Sequence, residues 1–450
     1  MWGSRLGCRV GGRGLITDYW LLSSDDYPVR PRYPHGALNT EVSPNATDER
    51  VASYRSPELQ AIFGVTLMAV LGVASIAPAL PRIAETLGVS AGQVGLLVTA
   101  FTLPGVILTT FAGILADRYG RLKVLLPGLI LFAIAGTACV FATSFPALIA
   151  LRVVQGIGGS AIGSINVTLI GDLFVDRQRT TAMGLNASVL SIGTAAYPAV
   201  GGALAMVAWS APFALALLAI PAAVLAVRRL RAAPKGQKAN LGDYFGDIWV
   251  IVRRREVLAL FFASTAIFIL LYGAYVTFLP FLMAGRFGSS PLGIGLLMAG
   301  LSISTAVTSA NLGRLAARLG EVGVMRAGFV VFAVGLALIP LAPIVWALAV
   351  PAVLLGFAFA TTIPIVQVLL TGVAPADRRG AVMSLNGTVL RLGQTLGPPV
   401  MALVHRAAGI DAVFFTGAIF ALFLALLMTW AVRPAPTHPV TSPARPPSNQ

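Results

Sequence analysis

This 450-residue chain has little charge: Asp, Glu, Lys and Arg together make up 11%, against roughly 25% in a typical globular domain. A water-soluble fold of this length needs far more polar surface. Its hydrophobic content of 57% and mean hydropathy of +0.84 point instead to lipid as the main solvent. Cysteine is nearly absent. Cys8 sits in a polar N-terminal stretch and Cys139 in an apolar run, which argues against a disulfide framework and a cysteine metal site. Histidine is almost as rare, with His35 and His438 near the two termini and His405 near the end of an apolar segment, so no midplane histidine offers itself as a proton carrier. None of the 17 acids falls in the middle of an apolar segment. Phosphate-binding Gly-x-x-x-x-Gly-Lys-Ser/Thr, His-Glu-x-x-His and Gly-x-Ser-x-Gly are all missing. ATP-driven transport and hydrolysis therefore lack sequence support, and the expectation is a non-enzyme with no cofactor or metal.

What the chain does have, from Glu58 onward, is long apolar stretches broken by short polar ones. A spanning helix needs ~20 apolar residues. Twelve candidates are centred near residues 70, 104, 134, 157, 194, 219, 270, 304, 333, 357, 393 and 422. The expected organisation is a disordered tail over 1–57, a six-helix bundle over 58–228, a linker over 229–256, a second six-helix bundle over 257–433 and a tail over 434–450. Basic residues fix the expected orientation. If both termini are cytosolic, 27 Lys and Arg fall on the inside and three on the outside, while Arg152 and Arg391 lie within apolar segments. The net charge of +15 is then a topology signal rather than a sign of nucleic-acid binding.

An internal repeat appears at an offset of 200. Gly95-Leu-Leu97 recurs as Gly295-Leu-Leu297, and the eight residues from Gly113 to Gly120 match those from Gly313 to Gly320 at five positions. The sixteen residues from Met183 to Pro198 match those from Met383 to Pro398 at seven. Each half contains an even number of helices, so both enter from the same side and the repeats are parallel, related by an axis along the membrane normal. Paired bundles of this kind suit alternating access, in which two halves rock about a site between them.

The residues Gly113-Ile-Leu-Ala-Asp117-Arg118-Tyr-Gly120-Arg121-Leu-Lys123, between the second and third segments, resemble the signature loop of the major facilitator superfamily. The resemblance covers nearly everything after residue 57. It implies an all-α integral membrane protein with twelve transmembrane helices in two six-helix bundles. Gly113 and Gly120 permit close packing and a tight turn. In that family the aspartate caps and pairs with the facing half to hold the cytosolic side closed, which makes Asp117, Arg118 and Arg121 a conformational latch. The second copy has Ala317 in place of the acid. The resemblance also implies that Asp172 pairs with Arg118 or Arg121.

Arg152-Val-Val-Gln-Gly156-Ile-Gly158-Gly159 is similar to a family pattern with a membrane arginine before a glycine-rich stretch. An arginine at the bilayer centre costs ~2.5–3.5 kcal/mol on insertion scales and marks a functional-site candidate. Gly193-Thr-Ala-Ala-Tyr197-Pro198-Ala-Val-Gly201-Gly202 looks like the glycine–proline motif of drug:proton antiporters, although Tyr197 replaces the glycine before the proline. The glycine form, Gly393-Gln-Thr-Leu-Gly397-Pro398, lies in the eleventh segment. Small residues and a kinking proline suit a helix interface that rocks.

The leading expectation is a monomeric, proton-coupled efflux transporter for small amphipathic drugs or metabolites, resident in the inner membrane with both termini cytosolic. Its lipid bilayer, small-molecule substrate and protons are the expected partners. An importer or facilitator of a small organic anion is the alternative, and a non-transporting sensor a further one. Cavity candidates are Arg152, Gln155, Asn166, Tyr275, Gln367, Arg391 and Gln394. Without a membrane carboxylate to pair with them, the two arginines favour neutral or anionic amphiphiles over lipophilic cations.

Overall fold

The computed structural model describes residues 56–174, 176–230, 253–375 and 379–432. The expected tails, up to residue 55 and over 434–450, lie outside the described residues, as does the greater part of the 229–256 linker.

Among the described residues twelve helical segments follow one another: α1 (Pro57–Leu87), α2 (Ala91–Tyr119), α3 (Arg121–Phe141), α4 (Phe145–Leu173), α5 (Asp176–Val207), α6 (Ala211–Arg229), α7 (Arg255–Phe287), α8 (Pro291–Leu319), α9 (Glu321–Leu338), α10 (Val345–Val373), α11 (Arg379–Ala408) and α12 (Ile410–Ala431). Each contains one of the centres expected from hydropathy. Eleven are long and apolar enough to cross a membrane. The remaining one, α11, has 30 residues but carries Arg379, Arg391, His405 and Arg406, which dilute its hydropathy. Two segments are interrupted. A 3-10 turn at Ala77–Ala79 breaks α1, and a π-helical stretch at Leu270–Phe278 interrupts α7.

The offset of 200 survives in three dimensions. α2 and α8 share their boundaries at that offset, as do the starts of α3 and α9 and those of α4 and α10. Ser90 caps α2 by accepting from the Gln93 amide, and Ser290 caps α8 by accepting from the Gly293 amide. Such caps satisfy amides that a helix start leaves without partners. Gly120 and Gly320 make the α2–α3 and α8–α9 turns at φ of 103° and 71°, a region open to glycine and costly for other residues.

Each half has its own core. Leu59, Leu125, Phe132 and Ile162 belong to one packed set, Phe329, Phe332, Phe414 and Leu336 to another. A smaller set around Ile83, Leu97 and Phe213 closes the first half at the end away from the α2–α3 turn. Large apolar side chains, among them Ile134, Leu403, Ile419 and Leu426, stand outward. In water such a belt would be unfavourable, and in lipid it is the expected solvent-facing surface.

The halves meet along two seams, α2 with α11 and α5 with α8. Two close approaches along these seams are pseudosymmetric. A side-chain carbon on Gly95 would press on Pro398, and one on Gly295 would press on the carbonyl of Pro198. The two contacts exchange under the offset of 200. Gly92 against Ala402 and Gly202 against Pro291 tighten the same end, termed here the far end. Toward the opposite end, which carries the α2–α3 and α8–α9 turns, the Cβ positions of Gly113, Gly184, Gly313 and Gly387 meet nothing within 4 Å. The hydroxyls of Thr110 and Thr388, 3.4 Å apart, form a cross-half polar contact between the two ends. Among the described residues the bundles are therefore closed at the far end and parted at the loop end.

Candidate functional site

Between the halves lies a cavity of about 510 Å³. Its walls come from both bundles: Val70 and Val73 of α1, Phe101 of α2, Tyr272 and Tyr275 of α7, Met298 of α8 and Phe359 of α10 supply apolar and aromatic surface. The polar lining is sparse and comes chiefly from Thr109, Ser191, Thr194, Ser302, Thr305, Arg391 and Gln394. Several of these hydroxyls are committed to their own helices. Ser191 donates to the Ala187 carbonyl, Thr194 to that of Ser191 and Thr305 to that of Leu301. An apolar, concave space with a few polar groups is the usual form of a small-molecule site.

The seven expected cavity residues divide sharply. Tyr275, Arg391 and Gln394 line the cavity. Arg152 does not. It is fully buried inside the first half, where its guanidinium donates to the carbonyls of Leu97 at 3.2 Å and Gly72 at 2.7 Å and to Gln155 Oε1 at 2.6 Å. The guanidinium also lies 4.4 Å from the centroid of the Phe101 ring. Arg152 and Gln155 thus tie α1, α2 and α4 together, and Arg152 has found backbone oxygens in place of a carboxylate. The Thr66 hydroxyl lies within hydrogen-bond distance of both Asn166 and Asn186, so Asn166 belongs to the α1–α4–α5 packing. Gln367 on α10 is half-buried and lies outside the cavity lining. For these four, helix membership is as read from the sequence but the side-chain direction differs.

Of the two arginines within apolar segments, Arg391 is the one whose guanidinium meets no hydrogen-bond acceptor among the described residues. It reaches across from α11 to the first half, and a Cβ on either Gly105 of α2 or Gly163 of α4 would collide with its guanidinium nitrogens. The sequence reading missed this glycine notch, as it missed Tyr272 and Thr109. The offset of 200 carried a signal for it. The positions of Gly105, Gly163 and Arg391 are occupied in the other half by Thr305, Ile363 and Ser191. Small has been exchanged for large on one wall and large for small on the facing one.

In the signature loop, Arg121 holds Asp117 at 2.5 Å and Asp172 at 2.9 Å. All three residues belong to the first half, so in this conformation the acids pair within one bundle rather than across the interface. Asp117 is half exposed and Arg118 rests over the Tyr119 ring. Gly113, expected at a close helix contact, faces open space. The other small residues do pack closely: Gly193 and Gly201 against α1, Gly202 against α8, and Gly393 and Gly397 against α7, with Pro198 and Pro398 at the seams.

A sequence model of the Major Facilitator Superfamily matches residues 62–290 and 261–449. The chain belongs to the major facilitator superfamily. It is a multi-pass membrane transporter rather than an enzyme. It is 26% identical over 384 residues to the bacillibactin exporter of Bacillus subtilis, covering 81% of this chain and 94% of that protein. Multidrug resistance protein 2 of the same organism is 25% identical over 370 residues, covering 81% of this chain and 92% of that protein. Among solved structures, the nucleoside transporter NupG superposes with a TM-score of 0.70 at 15% identity, covering 85% of this chain and 99% of that one. The human organic anion transporter MFSD10 gives 0.63 at 20% identity, with coverages of 83% and 99%. At these identities the structures establish the superfamily fold alone.

Proposed function

We propose that this transporter exports small amphipathic drugs or metabolites by alternating access about the cavity between its halves. The observation that carries the reading is that cavity. Both bundles wall it, aromatic and aliphatic side chains dominate it, and it opens where the halves part. Relatives named as a bacillibactin exporter and a multidrug resistance protein support efflux as the direction. The basic loops, by the positive-inside rule, support a cytosolic position for the loop end and both termini. The conformation is then inward-facing, ready to load from the cytosolic side. Asp117, Arg118, Arg121 and Asp172 act as the latch in this reading. Their pairing within the first half is the released form, and the cross-half form belongs to the outward-facing state. Inward proton movement across the inner membrane drives the cycle.

The reading is tested in inside-out vesicles carrying the protein. A fluorescent amphiphile is expected to accumulate when the vesicle interior is acidic and to leak out when the pH gradient is collapsed. Accumulation without dependence on the gradient would remove proton coupling. Uptake only by right-side-out vesicles would reverse the direction.

A further inference from the structure

We infer that Arg391 is the anion-binding group of the central cavity, and that the favoured cargo is an amphiphile bearing a carboxylate or a comparable oxyanion. This inference rests on the transporter reading and adds the charge class of the cargo to it.

Two arginines lie within apolar segments of one membrane domain, and their surroundings differ. Burying a guanidinium in lipid-embedded protein is unfavourable unless acceptors surround it. Arg152 has three acceptors and an aromatic face. The guanidinium of Arg391, among the described residues, donates to no carbonyl, amide or carboxylate, although Arg391 is itself a cavity wall. Packing does not explain it either. Two glycines, Gly105 and Gly163, make the room that it occupies, and the other half fills the equivalent room with Thr305 and Ile363. The space is shaped for a guanidinium that has no hydrogen-bond acceptor of its own among the described residues.

A second, independent observation lies on the facing helix. Tyr275 is 2% exposed, lines the same cavity from the π-helical stretch of α7, and its hydroxyl has no hydrogen-bond partner. Single π turns inside helices often mark functional sites. The Thr109 hydroxyl, also in the lining, is likewise without a partner. Gln394 follows Arg391 by three residues along α11, which places both on one face of the helix. The groups of the cavity lining that are left to donate are thus Arg391, Tyr275 and Thr109, with one fixed positive charge and no carboxylate among the lining residues. Such a set matches a planar oxyanion, which a guanidinium can hold through two parallel hydrogen bonds. The apolar walls take the rest of the molecule. Because Arg391 belongs to the second half while its notch belongs to the first, an anion bound there contacts both bodies that must move.

The test uses the full-length purified protein and a matched pair of probes, anthracene-2-carboxylate and 2-(aminomethyl)anthracene. Binding is followed by fluorescence titration. The wild type is expected to bind the carboxylate about tenfold more tightly than the ammonium. Arg391→Gln should erase that ratio, and Arg391→Lys, which keeps the charge but not the planar fork, should retain part of it. Thermal stability and monodispersity of each variant show whether it has folded. If Arg391→Gln does not fold, the wild-type ratio and Arg391→Lys still decide. A wild type that binds both probes equally, or prefers the ammonium, overturns the inference. So does a preference that survives Arg391→Gln. Flux in proteoliposomes separates this question from the larger one: no protein-dependent flux of either probe would overturn the transporter reading, whereas flux of the ammonium alone would overturn only the assignment to Arg391.

Discussion

Substituting alanine at Gly295 or Gly95 should open the far end, and to unequal degrees. In the structure an added Cβ at Gly295 lands on the carbonyl of Pro198, with the Cα of Ala199 at 3.1 Å. These are backbone atoms on a packed helix and cannot rotate aside. At Gly95 the added carbon meets Thr277 Cγ2 at 2.9 Å and Pro398 Cβ at 3.3 Å. These are side-chain atoms, and small shifts relieve the contact. Overpacking typically costs ~1–3 kcal/mol. Gly295→Ala belongs near the top of that range, at about 2–3 kcal/mol, and Gly95→Ala near or below its bottom. Both penalties fall only on the conformation closed at the far end. Since 1.4 kcal/mol is tenfold, Gly295→Ala should move the ratio of far-end-open to far-end-closed molecules by roughly 30- to 150-fold, and Gly95→Ala by less than about tenfold. Spin labels on Val207 and Trp346, 84% and 79% exposed on opposite halves, report the separation by double electron–electron resonance. The long-distance population should rise in both variants and more in Gly295→Ala. An unchanged distance distribution, or a larger effect at Gly95, would refute the reasoning.

Three further outcomes are expected. Asp117→Asn should leave thermal stability within about a degree of wild type, because an exposed ion pair contributes only ~0–1 kcal/mol, yet lower transport severalfold; wild-type flux would remove Asp117 from the latch. Arg152→Gln should destabilise the protein by about 1–2 kcal/mol, from two interhelical hydrogen bonds at an average of ~0.6 kcal/mol each and a third to Gln155 within α4, without altering any preference between anionic and cationic probes. A retained melting temperature would contradict its tying role. A cysteine at Gln237 should resist an impermeant maleimide in intact cells and react in inside-out vesicles, and the reverse pattern would invert the topology.

The twelve helices and their pairing by an offset of 200 were legible because lipid imposes length and hydropathy on every segment, and because a duplicated backbone keeps its glycines where helices touch. Gly95, Gly295, Pro198 and Pro398 could be read as matching positions, and they proved to be matching contacts. The cavity was harder to read. Arg152 and Arg391 look alike in sequence, each one charge in an apolar run. Hydropathy places a residue on a helix but leaves the rotation of that helix unspecified when apolar residues surround it on every side. What separates the two arginines is what faces them: carbonyls of Gly72 and Leu97 in one case, two glycines in the other. The exchange of Gly105 and Gly163 for Thr305 and Ile363 was visible beforehand. Its meaning required knowing that α2 and α4 confront α11. The pairing of Asp117 with Arg121 inside the first half belongs to one arrangement of the two bundles, and a sequence does not single out an arrangement.

Alternating access is tested most directly by locking the far end. An added Cβ at Gly92 would lie 3.1 Å from the Cβ of Ala402, close to the ~3.5–4.5 Å that a disulfide spans between Cβ atoms. In a background without Cys8 and Cys139, the double variant Gly92→Cys/Ala402→Cys should form that bond under mild oxidation. Flux of a fluorescent amphiphile into or out of proteoliposomes should then fall to the protein-free rate and return when the bond is reduced. Undiminished flux through fully cross-linked protein would contradict transport by rocking of the two halves.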